Sequence, residues 1–145
     1  MTKDFEKDYQ TELAINERYD RASTEDEKEA VRKEYRAFGD EVDGKGKDYA
    51  WVYKFYTEMK RRGNEYIDID DITCEGEAHR LVEALRKFGF EYFTFTSTWS
   101  SAVEIAWEFT QAGCTAEGMV EINSHHKDFY TDEFEKRHGF LFKVN

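Results

Sequence analysis

Apolar residues recur at helical spacing through the first third of the chain and then change period. Residues 3–21 carry Phe5, Tyr9, Leu13 and Asn16 along one face, which predicts a first helix. Residues 25–38 predict a second. Thr24 and Glu27 make a capping box, acids crowd the first turn, and Val31, Tyr35 and Phe38 form an apolar stripe. Residues 48–62 predict a ring-rich third helix with Tyr49, Val52, Tyr53, Phe55, Tyr56 and Met59, ending on Lys60, Arg61 and Arg62, cations that suit a helix C-terminus. At 65–71 the period falls to two: Ile67 and Ile69 face one way, Tyr66, Asp68 and Asp70 the other, which predicts a half-buried strand.

Helix and strand patterns then alternate. Residues 75–88 place Ala78, Leu81, Val82, Leu85 and Phe88 at helical spacing, and 91–97 are β-branched and aromatic. A helix is predicted at 101–112, opened by Ser101 and Glu104, then a strand at 117–123, a short helix at 131–138 capped by Thr131, and a strand at 140–144. The chain has no proline; Gly39, Gly63, Gly89, Gly113 and Gly139 each follow a helical pattern, where a left-handed cap is wanted. The predicted class is α+β or α/β: N-terminal helices, then a β-α-β-α-β-α-β unit with a four-stranded mixed or parallel sheet. It reads as one domain over 1–145, with a helical subregion at 1–46, a sheet-containing core at 47–145, and the glycine-rich stretch 39–47 as linker.

Composition sharpens this. With 12 Phe, 9 Tyr and 3 Trp the chain can build a core although 37% of its residues are charged. The net charge of −11 is uneven: residues 1–45 hold 14 acids against 9 bases, and 91–145 hold 9 against 4. Such a surface repels phosphate backbones, which argues against direct nucleic-acid binding and favours a basic protein partner; plain solubility is the competing explanation. No apolar run opens the chain and no stretch suits a membrane span. Two cysteines, Cys74 and Cys114, make neither a disulfide framework nor a zinc site. A cytoplasmic protein with free thiols and no membrane partner is expected.

Candidate chemistry sits in few places. Ser97, Trp99 and Ser100 lie in the 97–101 loop between a strand and a helix, where α/β folds place ligands; ordinary helix capping is the alternative. Glu121, Asn123, His125 and His126, with Asp128, gather imidazole and carboxylate after the third strand, but adjacent residues point apart, so one ligating group at most is expected there. Asp68, Asp70 and Asp71 could offer oxygens to a divalent ion, against the alternative of a solvated strand face. Cys74 precedes a helix start, which can lower a thiol pKa, whereas Cys114 reads as packing, and His79 and His138 as surface groups on helices. Exposed rings on the 48–62 helix would suit protein binding, unless that helix is buried all round. Residues 134–140 superficially resemble the Tyr-x-x-x-Gly-Phe ending of acetyltransferases of the GNAT type. The glycine-rich pyrophosphate turn of that family is missing from every predicted helix start, so the match is rejected.

The run Phe93-Thr94-Phe95-Thr96-Ser97-Thr98-Trp99-Ser100-Ser101, through Gly118-Met119-Val120-Glu121-Ile122-Asn123, resembles small uncharacterised proteins of Gram-positive mobile elements, plasmids and conjugative elements among them. The likeness covers the C-terminal half and brings no activity. It implies a mobile-element setting, in which small acidic proteins often inhibit host defence, some by imitating DNA. The leading expectation is therefore a non-enzymatic protein-interaction module without cofactor or metal, in its sharpest version a DNA-mimic inhibitor. The alternative is a small-molecule-binding protein or enzyme using the 97–101 loop and the 121–128 segment, which requires those segments to meet in one pocket. A homodimer joined through the first helices is a third reading.

Overall fold

The computed structural model describes residues 2–70 and 76–145. Five helices and four strands occur among them, in the order α1 (Thr2–Arg21), α2 (Glu25–Gly44), α3 (Lys47–Arg62), β1 (Ile67–Asp70), α4 (Glu77–Lys87), β2 (Tyr92–Thr96), α5 (Ala102–Gln111), β3 (Thr115–Lys127) and β4 (Phe134–Lys143). The chain divides into two compact units, Met1–Tyr53 and Lys54–Asn145, and the division falls within α3.

In the first unit α2 is capped where its sequence predicts. The Thr24 hydroxyl accepts from the Glu27 N–H at 3.1 Å, while the Glu27 carboxylate accepts from the N–H of Ser23 at 2.9 Å. The helix runs through Gly39 to Gly44, so the expected linker reduces to a short break before α3. The buried face of α1 is also rotated from the predicted one: Phe5, Asp8 and Ile15 are buried and Leu13 is exposed. Phe5 stacks on Tyr49 with centroids 4.4 Å apart. Asp8 is drawn inside because Lys45 donates to it at 2.8 Å and the Tyr49 hydroxyl donates as well. No ring of α3 is exposed; Tyr49, Tyr53 and Tyr56 are buried, Trp51 and Phe55 half-buried, which favours the buried reading of this helix.

The second unit is α+β. Its sheet has the order β1-β2-β4-β3, with β1 parallel to β2 and the other neighbours antiparallel. On one face Phe93, Phe95 and Phe142 pack against Phe109 of α5 at centroid distances of 4.9, 5.3 and 5.3 Å. Ile67, Ile69, Leu81, Val82 and Leu85 are likewise buried.

The predicted helix at 131–138 does not form, so the unit is β-α-β-α-β-β. The Asp128 carboxylate accepts from the N–H groups of Tyr130 and Thr131 at 2.8 and 3.0 Å, and the Asp128 N–H donates to the Glu133 carbonyl at 2.7 Å. These groups close a hairpin turn in which Asp132 takes a left-handed φ of 59°. Residues 134–138 then belong to a long β4. Gly63, Gly89 and Gly113 adopt positive φ after their helices, but Gly39 lies within α2 and Gly139 within β4. Gly139 is needed for space: a Cβ there would stand 2.7 Å from Thr96 Cγ2 and 3.0 Å from the Phe95 carbonyl oxygen. The second predicted box also fails to form, because Ser101 makes no side-chain cap to α5; Ser97 Oγ instead accepts from the Trp99 N–H at 3.1 Å.

Candidate functional site

Parallel pairing of β1 and β2 sets Asp70 beside Thr96 at the C-terminal ends of both strands, and the chain continues from Thr96 into Ser97 and Thr98. From the other side comes the distorted part of β3. Between the pairs Asn123↔Lys136 and Lys127↔Phe134, β3 advances four positions while β4 advances two. This irregularity breaks the alternation of side chains, and the rings of His125 and His126 lie together, centroids 4.0 Å apart. The expectation that these neighbours point apart is corrected for that reason. Both histidines, with Ser124, Asp70, Thr96, Ser97 and Thr98, line a pocket of about 70 Å³ completed by Arg137 and His138 of β4.

A polar hub supports this pocket. Asp68 is 3% exposed, which overturns the solvated-face reading of β1. Its carboxylate accepts from Thr94 Oγ1 at 2.7 Å and Thr96 Oγ1 at 2.8 Å, and Arg62 Nη1 lies 3.3 Å away. Burial pushes the Asp68 carboxyl above the usual carboxylate range, against the pull of both hydroxyls and the guanidinium. Arg62, buried with it, also reaches Asp70 at 3.3 Å and Glu58 at 3.2 Å. His125 Nδ1 lies 2.8 Å from Asp70 Oδ2. Donation from Nδ1 to that carboxylate leaves Nε2 of a partly exposed imidazole for a ligand, the arrangement that orients a histidine for acid–base work.

The predicted residues therefore divide. Ser97, His125 and His126 meet at the pocket. Trp99 and Ser100 are exposed and do not line it. Asn123 is an anchor: its N–H and carbonyl pair with the Asn64 amide at 2.9 Å each, and its own amide donates to the Arg62 carbonyl at 2.7 Å. Glu121 lies 3.7 Å from Lys136 and lines, with Asn123, a separate polar depression of about 280 Å³. His138, expected on a helix surface, is a strand residue at the pocket. Arg62, Thr96 and Arg137 were not singled out by sequence; the alternation of Asp68 and Asp70 on one strand side was the one hint of a buried counter-ion.

Asp71 and Cys74 lie outside the described residues. Among the described residues no group of three or more His, Cys, Asp or Glu is placed to hold a metal ion, and no helix is long and apolar enough to cross a membrane. Cys114 is free and buried, and burial pushes its thiol up to about 11, against the pull of Arg86.

No curated protein and no solved structure matches the chain. One family model does, a domain of unknown function designated DUF7698, over residues 51–144. The match takes in the polar hub and the pocket, from Glu58 to His138, and by its extent the chain belongs to the DUF7698 family.

Proposed function

We propose that this protein binds a small polar ligand in the pocket between the C-terminal ends of β1 and β2 and the distorted stretch of β3, with the Asp70–His125 pair serving acid–base work on it. One observation carries the reading: the 97–98 and 125–126 segments, remote in sequence, line a single pocket in which a carboxylate holds His125 Nδ1. Ligand sites at strand C-terminal ends with a few converging polar groups follow the general pattern of α/β sheets. The test is a screen of amino acids, sugars, carboxylic acids, nucleosides and phosphate esters, read on the histidine ring resonances by 1H–13C NMR. At least one class shifts His125 and His126 saturably, and His125→Ala abolishes the response. A set that leaves both rings unmoved overturns the reading.

A second reading, the non-enzymatic interaction module, is favoured by a different surface. Trp99, Val103 and Trp107 are exposed at i, i+4 and i+8 along α5 and the turn before it, beside the exposed Glu104, in a helix without a cation. This face suits a basic protein partner, and a mobile-element inhibitor of DNA-mimic type is its sharpest form. Pull-downs comparing wild type with Trp107→Glu at low and high salt test it; recovery of the same proteins by both chains overturns it.

A further inference from the structure

The pocket's lining runs against the charge of the chain. The net charge is −11, yet three of the four histidines, His125, His126 and His138, line the pocket with Arg137. One carboxylate lines the pocket, Asp70, paired with His125 at 2.8 Å and Arg62 at 3.3 Å, and Arg137 in turn lies 3.3 Å from Glu135 through one Nη. The hydroxyls of Ser97 and Thr98 add neutral donors to the lining. Imidazole, guanidinium and hydroxyl groups together are the chemistry that recognises an oxyanion, since each donates and a guanidinium can do so through two N–H groups at once.

Volume narrows the class. A pocket of about 70 Å³ is small and suits the compact polar head of a ligand. His125 is 38% exposed at its side chain, so the rest of a larger ligand can remain in solvent while its head enters. A tetrahedral anion presents acceptors to all walls at once, whereas a planar carboxylate reaches fewer of them.

We infer that the pocket is a phosphate-group site, taking inorganic phosphate or the phosphoryl head of a small monoester, held by His126, Arg137 and the hydroxyls of Ser97 and Thr98. The inference rests on the ligand-site reading above and gives it a substrate class. It does not conflict with the repulsion of nucleic acid by the whole surface: a polyanion meets the entire field, a small phosphate chiefly the local donors, because charges beyond about 10 Å are screened at moderate salt.

The experiment titrates the full chain with inorganic phosphate, phenyl phosphate and acetate at constant ionic strength, reading histidine ring resonances and the 31P line. Saturable shifts at His125 and His126 with both phosphates, and weaker ones with acetate, are the expected result. Tighter binding of phenyl phosphate assigns the site to monoesters, and equal binding to the free anion. Arg137→Gln and His126→Ala, both at side chains with solvent exposure, each weaken binding about tenfold without altering the amide spectrum elsewhere. Two results overturn the inference: no saturable response to either phosphate, or a response that survives both substitutions. If phosphate is silent while an uncharged metabolite from the wider screen still moves His125, the phosphate assignment falls and the ligand-site reading stands. If nothing moves the rings, both fall.

Discussion

Replacing Arg62 by Met tests the hub beneath the pocket. Arg62 is 5% exposed and lies within 3.3 Å of three carboxylates, those of Glu58, Asp68 and Asp70. Methionine fills much of the same volume without charge. Glu58 and Asp70 keep access to solvent, so each lost ion pair there costs about 1 kcal/mol or less. Asp68 has no such recourse, since its side chain is almost fully enclosed and retains only the two threonine hydroxyls. Breaking a buried pair by removing one partner costs about 3–5 kcal/mol, mostly the uncompensated charge. That is a large share of the roughly 5–15 kcal/mol available to a domain, and it lowers Tm by roughly 10–20 °C. The pH dependence stems from the raised Asp68 carboxyl. The folded protein keeps a proton that the unfolded chain releases, so this group's contribution is most favourable below the ordinary Asp value. It declines as pH rises through the folded one. Loss of Arg62 raises the folded value further, so the defect of Arg62→Met is smaller in mild acid than at neutrality. Urea unfolding followed by circular dichroism and by tryptophan fluorescence measures both. Adding Asp68→Asn to Arg62→Met recovers about half of the loss. A single variant within about 1 kcal/mol of wild type at neutral pH, or a double variant no more stable than the single, refutes this account of the hub.

Three further predictions concern its surroundings. Gly139→Ala costs about 1–3 kcal/mol in urea because its Cβ meets Thr96 Cγ2 and the Phe95 carbonyl, and adding Thr96→Ser, which removes that methyl and keeps the hydroxyl for Asp68, returns part of it; an unchanged midpoint for Gly139→Ala contradicts the packing argument. Cys114, buried with its thiol pushed up to about 11, reacts slowly with iodoacetamide at mildly alkaline pH and rapidly once urea is added, and peptide mass spectrometry showing fast modification without denaturant disproves the burial. Asp128→Ala loosens the β3–β4 turn, seen as faster amide exchange at Tyr130 and Thr131. The N–H groups of Thr131 and Tyr130 hold the Asp128 carboxyl below its usual range, so its support is present above the ordinary Asp value and disappears as pH falls through the depressed one; exchange rates equal in variant and wild type defeat this.

What the sequence discloses depends on how local the cause is. The strand at Ile67–Asp70 and the helix at Glu77–Lys87 show in their periodicity because one face of each packs on apolar neighbours. Thr24 shows because its cap needs only residues three positions apart. Thr131, Asp132 and Glu133 mislead for the same reason: they carry the marks of a helix start, but Asp128 recruits the local N–H groups into a turn, and β3 pairs with the strand that begins at Phe134. Arg62 reads as a cation at a helix end, and only the fold brings it against Asp68 and Asp70. For the pocket, Ser97, His125 and His126 were legible as chemical types in suitable places. Asp70 as the partner of His125 was not, because that pairing depends on a register irregularity no residue type announces.

The distorted stretch of β3 also bears on how this hairpin could change over time. Upstream of it Asn64 pins the strand at Asn123, and downstream Lys127 pairs again with Phe134. A deletion of one residue between those clamps would leave the sheet register on both sides in place and alter which imidazole stands beside Asp70. An insertion at the exposed Phe129–Tyr130 tip would lengthen the hairpin without reaching the pocket. The site and its scaffold can thus vary separately, with ring order set by a few residues of strand and stability held by the buried Arg62–Asp68 pair.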